Sequence, residues 1–135
     1  MTERAQLSLP AVEAAIGVLL VLAVVATFAL PVADGDTTEA QLDTYASDAA
    51  TVLSGEPPRH GGATRLSEVA RSEASFEREQ QALERRVERI LPHNLLYRVE
   101  TPHGSVGYRV PAGVSVGVAT VPTGHGEVTI RVWYV

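Results

Sequence analysis

From Ala14 to Ala33 the only polar side chain is Thr27. At about 1.5 Å of rise per residue, a helix of this length reaches across the roughly 30 Å hydrocarbon layer of a bilayer. Inside lipid every backbone group must be paired within the segment, so the run is expected to be a transmembrane helix. Pro31 and then Asp34-Gly35-Asp36 are expected to end it. A cleaved secretory signal fits less well. Its apolar core is usually about 7 to 15 residues, and the one plausible cut here, after Ala33, would set Pro31 at the minus-three position.

Flanking charge gives the run a direction. Arg4 and the starting amine precede it, whereas Asp34, Asp36, Glu39, Asp43 and Asp48 follow it before the next arginine, Arg59. Basic residues favour the cytoplasmic side, so the expectation is a single-pass protein of the cell membrane, in contact with membrane lipid. Its amino terminus would be cytoplasmic and residues 34–135 would form an extracytoplasmic domain.

Net charge is -5 and all eleven basic residues are arginine. That balance argues against nucleic acid, which needs clustered positive charge to meet phosphate. With no cysteine, neither a disulfide nor a thiolate metal site can form. Burial and backbone pairing must hold the fold.

Beyond the span, Thr37 or Thr38 can cap a helix that places Leu42, Tyr45, Ala46, Ala49, Val52 and Leu53 on one stripe. Residues 55–62 (GEPPRHGG) read as loop. A short helical turn around Leu66, Val69 and Ala70 precedes a helix from about Ser72 to Leu91, with Phe76, Leu83, Val87, Ile90 and Leu91 on its apolar face. The charged remainder of that helix is expected to be solvated.

From Asn94 the apolar period falls from 3.6 to 2. Tyr97 and Val99, then Val106, Tyr108 and Val110, then Val114, Val116 and Val118, then Val128, Ile130, Val132 and Tyr134 alternate with smaller or polar residues. Turns at 102–104, 111–113 and 122–126 punctuate them at hairpin spacing. The expected fold class is α+β: a transmembrane helix, then amphipathic helices packed on a carboxy-terminal four-stranded antiparallel meander.

Catalytic patterns are missing from the sequence. His60, His103 and His125 each precede a glycine in an expected turn, and His93 follows a helix-ending proline. No histidine pair has the spacing of a helical metal site, and no serine stands in a nucleophile elbow. Glu68, Glu73, Glu77, Glu79, Glu84 and Glu88 read as a solvated helix face and not as acid–base groups. The sequence therefore points to no enzyme, cofactor or metal. A catalytic reading would need His60 or His103 on a metal or in a deep pocket.

A carboxylate at mid-bilayer costs roughly 2.5 to 3.5 kcal/mol and less near the interface, so Glu13, at the mouth of the apolar run, either sits hydrated at headgroup depth or has a partner or a role. A short charged leader, a small-residue junction and an apolar helix with an early glutamate (SLPAVEAAIGVLL) resemble the amino terminus of type IV pilins and pseudopilins. The resemblance implies residues 1–8 as a short cytoplasmic leader and 9–33 as the transmembrane helix, with a prepilin peptidase cutting between Ser8 and Leu9. It also implies Glu13 as an assembly carboxylate that neutralises an α-amine, its own or that of a neighbouring subunit. Pro10 would then stand in the first helical turn, where its missing N–H costs nothing. Arg4-Ala5-Gln6 offers an alternative junction between Ala5 and Gln6.

The layout of span, amphipathic helix and terminal sheet is similar to that of pilin-like subunits. The whole sequence, including ERILPHNLLYRVETPHG and VTIRVWYV, is similar to a haloarchaeal group of pilin-like membrane proteins, and the lysine-free acidic composition resembles that of proteins from salt-loving archaea. The resemblance implies an accessory or minor pilin-like subunit, with other pilin-like subunits as partners, in a type IV pilus-like surface filament or related machine. A break at Pro31 suits a minor subunit better than a major one. The alternative is a membrane-anchored binding module of another envelope complex that forms no filament.

Overall fold

A computed structural model of the chain describes residues 2–29 and 34–135, with side chains for 9–27 and 37–135. The chain divides into two compact units, Met1–Asp34 and Gly35–Val135.

The first unit is helix α1, Thr2–Ala29, uninterrupted over its length. Its stretch Leu9–Thr27 has a mean hydropathy of 2.5 and no buried side chain, which makes it long and apolar enough to cross a membrane. Thr27 Oγ1 donates to the carbonyl of Ala23 at 2.8 Å, so the hydroxyl adds no unpaired donor to the apolar surface. Pro10 lies inside α1 in the intact chain rather than at a helix start. The expected stop at Pro31 lies outside the described residues. Asp34, Gly35 and Asp36, expected to belong to that break, instead open helix α2, Asp34–Gly55, which begins ahead of the anticipated caps at Thr37 and Thr38.

In the second unit α2 is followed by α3, Arg65–Ala70, α4, Glu73–Ile90, and four strands: β1 Leu95–Thr101, β2 Gly104–Gly107, β3 Gly117–Thr123 and β4 Gly126–Tyr134. Ser72 caps α4 by accepting from the backbone N–H of Ser75 at 3.1 Å, and Leu91 closes it with an N–H to the Val87 carbonyl. The α4 stripe buries Phe76, Leu83, Val87 and Leu91 as its spacing predicts. On α2 the buried set is Leu42, Ala46, Ala49, Ala50 and Leu53, while Val52, expected on the stripe, is exposed. These residues join Leu66, Val69, Tyr97, Val99, Val106, Val128, Ile130 and Val132 in one core between helices and sheet.

The class is α+β with a four-stranded antiparallel sheet, but the strand order is β2-β1-β4-β3 and not that of a sequential meander. Two hairpins stand side by side, joined by β1 and β4 along the register Leu95↔Tyr134 to Glu100↔Thr129. The reason is burial. Leu95, Tyr97 and Val99 on β1 and Val128, Ile130 and Val132 on β4 bring the large inward side chains to the centre, where they are covered best. Edge positions fall to the short β2 and to β3, whose Pro122 cannot donate to a ladder.

Both hairpins turn on the same device. In Thr101-Pro102-His103-Gly104 and again in Thr123-Gly124-His125-Gly126, the threonine hydroxyl donates to the glycine carbonyl, at 2.9 and 2.6 Å. In each, the same hydroxyl accepts the histidine backbone N–H at 3.2 Å. These short connections hold the turn register of each hairpin.

Two of the expected strands shift. β2 ends at Gly107, so Tyr108, Val110, Val114 and Val116 lie in a connecting segment. β3 turns Gly117, Ala119 and Val121 inward and leaves Val118 exposed, one residue out of phase with the valine pattern. Helix α2 decides the phase. It passes so close to Gly117 that a Cβ there would overlap the Leu42 carbonyl, and Asp43 Oδ1 accepts the Val118 N–H at 2.9 Å.

Candidate functional site

The residues singled out on α1 are placed as follows. Leu9 and Glu13 are both exposed on the helix, and Glu13 has no ion-pair partner among the described residues. Ala5, Gln6 and Ser8 have helical backbone, and their side chains lie outside the described residues. Glu13 is thus the one acidic side chain within the apolar stretch Leu9–Thr27.

In the second unit the largest departure from expectation concerns two glutamates. Glu68 on α3 is fully buried and Glu79 on α4 is 1% exposed, whereas both were expected on a solvated face. Carboxylates are almost never fully buried unless paired. Here the 56–64 loop supplies the partners. The backbone N–H groups of Arg59 and His60 donate to the Glu68 carboxylate at 2.7 and 2.8 Å, one to each oxygen. The His60 ring reaches Glu79, with Nδ1 2.5 Å from Oε1 and 3.5 Å from Glu68 Oε1. Arg59 Nη1 and Arg78 Nε each stand 3.5 Å from a Glu79 oxygen.

The local sequence explains how this forms. Glu79 falls in the α4 stripe, three residues after Phe76 and four before Leu83, so its side chain is carried into the interior with theirs. Glu68 sits in a six-residue helix whose other side chains from Leu66 to Ala70 are also buried. Gly62, at φ +116°, lets the chain turn back over α3 beside the Glu68 backbone. Glu56 anchors the start of the loop through Arg86 and through its backbone carbonyl, which accepts from Arg65 N–H at 3.1 Å. His60 Nδ1 and one oxygen from each of Glu68 and Glu79 lie within 4.8 Å of one another, close enough to share a metal ion. His103 and His125 sit exposed in the hairpin turns, and His93 lines a cleft.

That cleft, about 510 Å³, opens between the end of α4 and the start of β1 and is bordered by Arg85, Arg89, His93, Tyr97 and Tyr108. The two tyrosine rings meet edge to face, with centroids 6.0 Å apart and planes at 86°. Burial, and then the carboxylates of Glu88 and Glu84, push the Tyr97 hydroxyl well above its ordinary range. The neutral phenol is therefore the form the fold accepts. In the unfolded chain it ionises near pH 10, so stability is expected to hold up to about that pH and to fall as pH rises further. Tyr97→Phe should flatten this alkaline limb in urea titrations between pH 8 and 11. An unchanged limb would place its cause elsewhere.

A second cleft, about 440 Å³, lies on the other sheet face among Arg98, Glu100, Arg109, Val116 and Arg131. Glu100 bridges Arg131 at 2.5 Å and Arg98 at 3.0 Å. Its hydrogen bond to Arg131, reinforced by Arg98, holds its carboxyl below the usual range. Two of the three arginines of the cleft, Arg98 and Arg131, are therefore paired with Glu100.

No curated protein and no solved structure matches the chain. What does match is a family model, and it does so over residues 3–134, taking in the apolar helix, the glutamate-bearing helices and the paired hairpins alike. On that match the chain belongs to the Family of unknown function (DUF7262).

Proposed function

We propose that this chain is an accessory pilin-like subunit, anchored in the cell membrane by α1 and acting by assembly with other subunits and not by catalysis. The observation that carries the reading is α1 itself. Its apolar side chains from Leu9 to Thr27 are all exposed among the described residues, and the one carboxylate in that stretch is Glu13. Such a surface needs lipid or other helices around it. In this reading the membrane supplies the lipid and a filament core the helices, and there Glu13 meets the α-amine of a neighbouring subunit or its own after a prepilin peptidase has removed residues 1–8. Pro10 supports the same reading: inside α1 it forfeits a helical hydrogen bond, whereas after cleavage at Ser8–Leu9 it falls in the first turn, where there is none to lose. The domain that follows lies outside the cell in this reading, on the side opposite Arg4.

Glu13→Ala is the direct test. Breaking a charge pair inside an assembly leaves one charge buried and costs about 3 to 5 kcal/mol, so incorporation into the assembly should fall on the order of a hundredfold or more. Membrane insertion should be unchanged or slightly improved. Mass spectrometry of the mature amino terminus complements it, with Leu9 or Gln6 expected as the first residue. An intact Met1 in cells with an active prepilin peptidase would end the pilin-like reading.

A second reading keeps the anchor without the filament, as a binding module of another envelope complex. The observation favouring it is that Gly35–Val135 forms a compact unit with a core of its own, suited to presenting a surface independently. In that case Glu13→Ala would leave recruitment to the complex intact.

A further inference from the structure

We propose that His60, Glu68 and Glu79 form a binding site for a divalent transition-metal ion of the zinc class. The inference is independent of the assembly reading, since it concerns the second unit alone.

It rests first on an imbalance of protons. Two buried carboxylate oxygens, Glu79 Oε1 and Glu68 Oε1, face the same ring nitrogen at 2.5 and 3.5 Å. Nδ1 carries at most one proton, and the shorter contact claims it. Glu68 Oε1 then has the His60 backbone N–H and a further lone pair that the ring cannot serve. A metal ion in place of that proton would serve all three donor atoms at once.

Charge points the same way. Arg59 and Arg78, the cations beside Glu79, are about half exposed, and at 3.5 Å they stand beyond the roughly 2.7 to 2.9 Å of a strong charged hydrogen bond. Glu68 has His60 as its one ion-pair partner among the described residues. Two carboxylates withdrawn from water therefore hold more negative charge than their surroundings offset closely, which is the environment in which buried acids coordinate metals.

Geometry and donor type narrow the ion. With zinc–ligand distances of about 2.0 to 2.2 Å, tetrahedral ligands stand roughly 3.4 Å apart. The His60–Glu68 separation already matches at 3.5 Å, and the His60–Glu79 contact would open by roughly 1 Å. His60 can make that movement, because its side chain is half exposed and a pair of glycines follows it. The same exposure provides an entry path. One imidazole with two carboxylates suits zinc or a neighbouring transition metal, whereas magnesium and calcium prefer oxygen ligands throughout. Three protein ligands leave the fourth position to water.

Isothermal titration of the full chain in detergent with zinc chloride tests the proposal. The expected result is one ion per chain, with the His60 ring bound through Nδ1 and its proton carried on Nε2. His60→Ala and Glu79→Gln should each weaken binding at least tenfold with the far-UV spectrum unchanged, while the double variant of His103 and His125 to alanine should bind as the wild type does. X-ray absorption of the wild-type zinc complex needs no variant to fold, and it should show oxygen and nitrogen ligands with a single imidazole. Absence of zinc binding, two or more imidazoles on the metal, or undiminished affinity in His60→Ala would overturn the site.

Discussion

Gly117→Ala is expected to destabilise the second unit by roughly 3 kcal/mol or more, the upper end of the overpacking range. A Cβ at this position would overlap the backbone carbonyl of Leu42, and neither backbone can yield cheaply. Leu42 is fully buried, and its neighbour Asp43 is tied to the same strand through Val118, so α2 cannot move away without surrendering core contacts and a hydrogen bond. Urea unfolding of the full chain in detergent, followed through the emission of Trp133, measures the loss. Trp133 is the sole tryptophan and is 1% exposed, so its emission should shift to the red as the core opens. Gly124→Ala is the control. Nothing lies within 4 Å of a Cβ there, and the change should be neutral or slightly stabilising. If Gly117→Ala unfolds at the wild-type midpoint, α2 does not rest on β3 as described.

Glu68→Ala should cost about as much, by a different route. It strands the N–H groups of Arg59 and His60, each of which now donates to the buried carboxylate. A hydrogen bond to a charged group contributes about 1.5 to 3 kcal/mol, and losing two of them, with a cavity left beside them, gives roughly 3 kcal/mol or more in sum. The damage should begin in the loop. Trypsin is expected to cut first after Arg59 in the variant, while the intact chain resists at that bond. Glu68→Gln is a finer probe, since the amide keeps one acceptor oxygen but turns an NH2 donor toward the other N–H. It should fall between wild type and alanine. Equal protection of the Arg59 bond in all three proteins would mean that Glu68 does not hold the loop.

These two positions show where sequence patterns run out. The stripes of α2 and α4, the Ser72 cap and both threonine–histidine turns follow from spacings of a few residues, because the forces that make them act between near neighbours. The phase of β3 does not. Its valines suggest one inward face, yet a contact with α2, some 75 residues earlier in the chain, requires the smallest residue to point inward and so turns Val118 outward. Strand order is equally non-local, since alternation marks each strand but not which strand lies beside it.

Glu79 was half legible. Its place between Phe76 and Leu83 on the stripe was visible, and its charge argued for solvent; the loop that supplies its partner comes from His60, 19 residues away. Glu68 offered less, because a six-residue helix has too little length to reveal a face. The metal-ligand pattern was invisible for the same reason: its donors come from a loop and two helices, and no fixed spacing links them.

By itself the sequence determined the apolar helix α1, the amphipathic faces of α2 and α4 and the change to period two after Asn94, since each depends on which side chains recur along one element. Only the tertiary structure decided the β2-β1-β4-β3 order, the inward phase of Gly117 and the convergence of His60, Glu68 and Glu79. Those depend on which surfaces bury one another across the chain, and burial is a property of the packed whole rather than of any single stretch.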